Sequence, residues 1–177
     1  PMDLIAMTAT NTISAKINQW LLKSDRLVKI NPAGAIHASS RHNILHHGFF
    51  SLGCAYGGLD ILRAIAETKQ LEFIQESWQS LHQEVQQIEQ AAIASISDNQ
   101  STYQQQLQLR IETIDLAQRC SLAAVIASSG AANDFNSNAG RVYREAMLFS
   151  LSGQTTDVME ASLKSLLKGE IVIADSS

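Results

Sequence analysis

The sequence predicts a mainly α chain, an antiparallel four-helix bundle with a short β-strand segment at its N-terminal end. Three observations carry that expectation. Proline occurs only at Pro1 and Pro32, so the backbone beyond residue 32 is everywhere compatible with helix. Apolar residues recur at helical spacing over three long stretches. Short polar turns separate those stretches, which brings successive helices side by side.

Residues 1–31 differ in character. TATNTISAKINQWLLK and DRLVKI carry β-branched residues in partial alternation and read as two or three strands. That is too little to make a stable sheet alone. NPAGA at 31–35 is a turn or linker. The chain of 177 residues therefore divides into 1–35, a short β segment with its linker, and 36–177, the helical bundle.

The first long helix is expected from Ser40, as N-cap, to about Thr68. Ile44, Phe49, Leu52, Leu59, Leu62 and Ile65 supply its apolar positions, and Ser51, Gly53, Cys54, Ala55, Gly57 and Gly58 crowd its middle. Each glycine weakens a helix by about 1 kcal/mol relative to alanine, so something must compensate. Either another helix packs closely there or a flat ligand approaches. A second helix is expected over Leu71–Ile96, with Phe73, Ile74, Trp78, Leu81, Val85, Ile88, Ala92 and Ile96 at helical spacing. A third spans Thr102–Ser128, and its closing SLAAVIA, apolar on nearly every side, predicts deep burial. A polar loop at Asn133–Asn138 follows, then a helix over Ala139–Leu151, a break near Gly153 and a last helix over Thr156–Leu167. Gly169 suits a helix stop, and EIVIADSS is a tail.

Composition excludes several classes of function. The formal net charge is -4 and the basic residues are scattered, which argues against a nucleic-acid partner. No apolar run approaches the roughly 20 residues of a membrane span, and none reads as a secretory leader. Cys54 and Cys120 sit inside apolar patterns as small core residues rather than a disulfide or metal pair, and a reducing cytoplasm is expected. His42 and His46 are four apart and could seat a metal, but no third ligand lies at a matching spacing. Polar residues near an interdomain surface is the simpler reading of that pair. Arg141 and Glu145 are also four apart, a surface pair contributing about 0.5 kcal/mol or less. Thr155 or Thr156 can cap the last helix, with Asp157 or Glu160 in its first turn. The N–H groups of such a terminus attract anions, a pyrophosphate among them.

Taken together, these segments resemble the C-terminal part of the acyl-CoA dehydrogenase family over about residues 5–168. AMTATNT with DRLVKI is similar to the end of that family's middle β-domain, and HHGFFSLGCAYGGLDIL to the opening helix of its C-terminal bundle. SSGAANDFNSNAGRVYREAM is similar to its glycine-pair loop followed by its Arg-Asp-Ala helix, here Ser129-Gly130 and Arg144-Glu145-Ala146. Seven residues further on, GQTTD falls where the family carries a Glu-Gly-Thr turn.

The resemblance implies an FAD flavoprotein that oxidises the Cα–Cβ bond of an acyl-CoA, of which this chain is the C-terminal part and by itself inactive. It makes residues 1–35 the remnant of the middle β-domain with its linker, and it implies a homodimer or homotetramer. Ser129 and Gly130 would pass the adenosine end of a flavin from another subunit. Thr155 and Asp157 would contact the phosphate region. The family's catalytic glutamate position is Gly153, and the glutamine preceding the glycine pair is Ile126. Some relatives place the base on the first bundle helix, near His47. The alternatives are a degenerate bundle kept for assembly, or a flavin-dependent monooxygenase of the same fold, which needs no α-proton base.

Overall fold

A computed structural model describes residues 1–35, 39, 43–98 and 101–167 of the chain. It is mainly helical, with 72% of the described residues in helix. Five α-helices are formed among the described residues: α1 His46–Lys69, α2 Glu72–Ser97, α3 Tyr103–Ser128, α4 Asn138–Leu151 and α5 Thr156–Leu166. The periodicity had located each of them to within a few residues, except at the start of α1. The expected cap at Ser40 lies outside the described residues, as do Gly169 and the tail.

Local chemistry accounts for the boundaries. Lys69 ends α1, and Gln70 turns the chain out in a left-handed conformation with φ 52°. Thr102 opens α3 with a capping box: its Oγ1 accepts from the Gln105 N–H at 3.3 Å while its own N–H donates to Gln105 Oε1 at 2.8 Å. Ser137 caps α4 by accepting from the Gly140 N–H at 3.1 Å. Of the two threonines considered as caps for α5, it is Thr155 that accepts from the Val158 N–H.

The expected N-terminal strands do not form. Among the described residues there is no strand, and residues 1–34 hold only short 3-10 turns at Thr8–Thr10 and Ser24–Arg26. Alternating β-branched residues specify a strand only when a neighbouring strand takes up the backbone groups. Here one backbone hydrogen bond links the ends of the first dozen residues, Met2 N–H to Thr12 O at 2.9 Å. Ile13, Ile17, Trp20, Val28 and Ile30 are all exposed.

Helix α3 touches each of the other four helices and is the axis of the fold. On one side, Leu116 and Cys120 meet Leu52, Ala55 and Leu59 of α1 and Val85 of α2. On another, Ala117 meets Cys54, Val142 and Ala146. Its N-terminal half, through Leu107, Ile111 and Ile114, packs on Ile44 and on Val158 of α5. Against expectation, α1 is long and apolar enough by composition to cross a bilayer. In the fold its small and apolar positions pack on α2, α3 and α4. The crowding in its middle is explained at Gly58, where an added Cβ would come within 2.7 Å of the Cys120 carbonyl.

Candidate functional site

The segment SSGAANDFNSNAGRVYREAM folds as one unit. Ser129 leaves α3 with φ 55° and ψ −140°, and Ser129–Asn133 forms a 3-10 turn. Gly130 faces open space: a Cβ built on it has nothing within 4 Å. The left-handed position is thus Ser129, not the glycine beside it. The Ser137 hydroxyl donates to Ala132 O at 2.9 Å, closing the loop onto the start of α4. Arg144 reaches back to donate to Phe135 O at 3.0 Å, its guanidinium 4.9 Å from the centre of the Phe135 ring. Arg141 and Glu145 form the expected surface pair at 2.8 Å.

Arg144 also lines an open cleft of about 360 Å³ between α3 and α4. Leu122, Tyr143, Ala146 and Met147 give it an apolar wall, and Ile5 of the N-terminal segment closes one side. The second arginine on its rim, Arg119, is neutralised by Glu84 and Asp115. That pairing holds the Glu84 carboxyl below its ordinary value.

Thr155 and Asp157 lie elsewhere. The Asp157 carboxylate accepts from the Tyr103 hydroxyl at 2.7 Å, at the first residue of α3. Ser129 follows the last residue of the same helix. At about 1.5 Å per residue, the 26 residues of α3 put the two pairs roughly 39 Å apart. Within one copy, Ser129 and Gly130 therefore cannot share a cleft with Thr155 and Asp157. Sequence spacing could not show this, because it does not say that Asp157 meets Tyr103 at the far end of α3.

The structure does bring together two positions that the sequence singled out separately. Gly153 turns the chain between α4 and α5 with φ 64°, and a Cβ on it would lie 2.8–2.9 Å from ring atoms of His47. His47 Nδ1 is buried without a hydrogen-bond partner. Burial, then the Arg110 charge, then His46, hold the imidazole's pKa below the ordinary value. The ring stands 6.3 Å from that of Phe50, which stacks on Phe149 near the end of α4 at 6.2 Å. His46 is exposed. His42, its possible metal-binding companion, lies outside the described residues, as does His37.

Arg110 is the residue that sequence reading missed. It is 1% exposed, on the stripe of α3 that carries Leu107, Ile111 and Ile114. One terminal nitrogen donates to the Ser51 hydroxyl at 3.2 Å. The other donates to the carbonyls of Phe149 at 3.2 Å and Ser152 at 2.9 Å. Its Nε has no partner, and burial lowers its pKa to about 10. The available signal was an arginine three residues from Leu107 and four from Ile114, on an otherwise apolar face.

No protein family, no curated protein and no solved structure matches the chain.

Proposed function

We propose that the chain works as the C-terminal, antiparallel bundle of an acyl-CoA dehydrogenase-like FAD flavoprotein. The observation that carries this reading is the meeting of His47 and Gly153. The resemblance names these as the two places where a base is found, one on the opening helix and one in the turn after α4. They lie 106 residues apart in the chain, and here they touch.

The residues present are compatible with a flavin nucleotide. Gly130 leaves backbone open to approach, and Arg144 places a cation beside an apolar cleft with room for part of the nucleotide. Thr155 and Asp157, at the other end of α3, would serve the flavin of a second copy, which makes the working unit a homodimer or larger. Bound FAD supplies the acceptor for the hydride from the acyl-CoA. The chain would supply the base: His47, kept neutral by burial and the nearby Arg110 charge, is the group that would take up the α-proton. A reducing compartment such as the cytoplasm suits the two buried free thiols.

The left-handed backbone of Gly153 favours a second reading. A glutamate there would be strained and would strike His47. If His47 is idle as well, a flavin-dependent monooxygenase or a bundle kept for assembly remains.

The test is anaerobic mixing of the FAD-loaded intact flavoprotein, of which this chain would be the C-terminal part, with acyl-CoA, in the wild type and in His47→Gln. Bleaching of the flavin absorbance that His47→Gln abolishes supports the reading. Binding of FAD without bleaching, followed by substrate-dependent oxygen consumption once the flavin has been reduced with dithionite and air admitted, transfers it to the monooxygenase. Gly130→Trp provides a binding control, since it has room in the fold and should block FAD without unfolding the chain.

A further inference from the structure

A buried arginine without a carboxylate is an expensive choice for an apolar stripe. The effective desolvation penalty is several kcal/mol, and a methionine would fill the space at less cost. Among the described residues, Arg110 has only neutral acceptors: Ser51 Oγ on α1, and Phe149 O and Ser152 O at the end of α4. Phe149 O is one of the last four carbonyls of α4, which have no partner within the helix. The negative end of the α4 dipole faces the guanidinium, so the charge is partly compensated. Phe149 O belongs to the last turn of α4, and Ser152 O opens the turn that delivers Gly153 to the His47 ring.

We propose that Arg110 is a positioning residue: it clamps the end of α4 onto His47 and keeps a positive charge beside that imidazole. Among the described residues, two charged or titratable groups act on His47: Arg110 from α3 and His46 from its own helix, while the turn after α4 brings Gly153 against the ring. Both named groups oppose protonation of His47, in the same direction as burial does. The result is an imidazole that stays an acceptor, next to a turn that cannot drift away. A glutamine at 110 could still donate to one carbonyl but would carry no charge. A lysine would keep the charge and lose the fork whose two terminal nitrogens tie the Ser51 hydroxyl on α1 to the carbonyls of Phe149 and Ser152.

This inference rests on the reading of His47 as a base, but its test does not need the flavin. The ring protons of His47 are followed by NMR through a pH titration in the wild type, Arg110→Lys and Arg110→Gln, with amide exchange at Ser152–Thr155. We expect His47 in the wild type to titrate below an ordinary histidine. In Arg110→Gln it should move upward, and the turn amides should exchange roughly tenfold faster as the turn opens locally. Arg110→Lys should keep the low titration and loosen only the turn. An Arg110→Gln protein with His47 unmoved overturns the proposal. So does a wild-type His47 that titrates as an ordinary histidine or higher, an outcome that can be read even if both variants fail to fold. A chain whose His47 follows Arg110 but whose flavin never bleaches keeps the clamp and loses the enzyme.

Discussion

Replacing Gly58 by alanine tests why α1 carries so many small residues. A methyl group there would sit 2.7 Å from the carbonyl carbon and oxygen of Cys120, and 2.8 Å from the Ser121 nitrogen. Ordinary contact starts near 3.4 Å, so α1 and α3 must separate by about 0.7 Å. The obstacle is backbone, which cannot rotate aside, and Leu52, Leu59 and Leu116 pack at the same crossing. Overpacking of this kind costs about 1–3 kcal/mol, and the upper end applies here. Helix propensity returns about 1 kcal/mol, for a net loss of about 2 kcal/mol. Gly53 is the internal control: a Cβ there meets nothing within 4 Å. Gly53→Ala should therefore gain about 1 kcal/mol. Gly57→Ala meets Val142 only at 3.7 Å and should fall between the two. Thermal melts followed by circular dichroism should then place Gly53→Ala above Gly58→Ala by about 6–12 °C, at roughly 2–4 °C per kcal/mol for a chain of this size. A Gly58→Ala protein that melts with Gly53→Ala would refute the packing argument and return the small residues to the ligand explanation.

Three further outcomes are expected. His47 is held below its ordinary pKa in the fold, so the unfolded chain binds the proton more readily. Its contribution to stability is complete above about pH 6.5, the ordinary histidine value, and is lost as pH falls below it. Urea melts of the wild type should lose stability over that window, and those of His47→Gln should lose less. Cys54 and Cys120 are buried, and burial pushes each thiol up to about 12. A thiol-titrating reagent should find both unreactive in the native protein and both reactive in urea; fast native labelling would contradict the core assignment. Thr102→Ala removes the capping box at the start of α3 and should cost about 1 kcal/mol in the same melts.

The helices were legible because each depends on its own residues. Apolar spacing, the threonine cap ahead of α5 and the break at Gly153 are local signals, and local signals survive in a linear reading. The N-terminal strands were not legible, because a strand is defined by a partner that the chain does not place beside it. Candidate site residues divide along the same line. The loop from Ser129 to Asn138 was recognisable from its small and polar residues, and Arg144 indeed closes on it. Arg110 went unread because its partners, Phe149 and Ser152, are about forty residues away and act through carbonyls, which every residue possesses. The wide separation of Ser129 from Asp157 was equally hidden, since neighbouring motifs in a sequence say nothing about which end of a helix each one occupies.

That separation has a genetic corollary. Suppose one nucleotide is gripped by the Ser129 tip of one copy and the Thr155 tip of the other, across a two-fold axis. A lesion at either tip then silences both sites of a uniform dimer. Mix two such inactive proteins, one damaged at each tip, and every hybrid concentrates both defects in one site while leaving the other whole. Random reassortment would thus regenerate about a quarter of the sites from parents that have none.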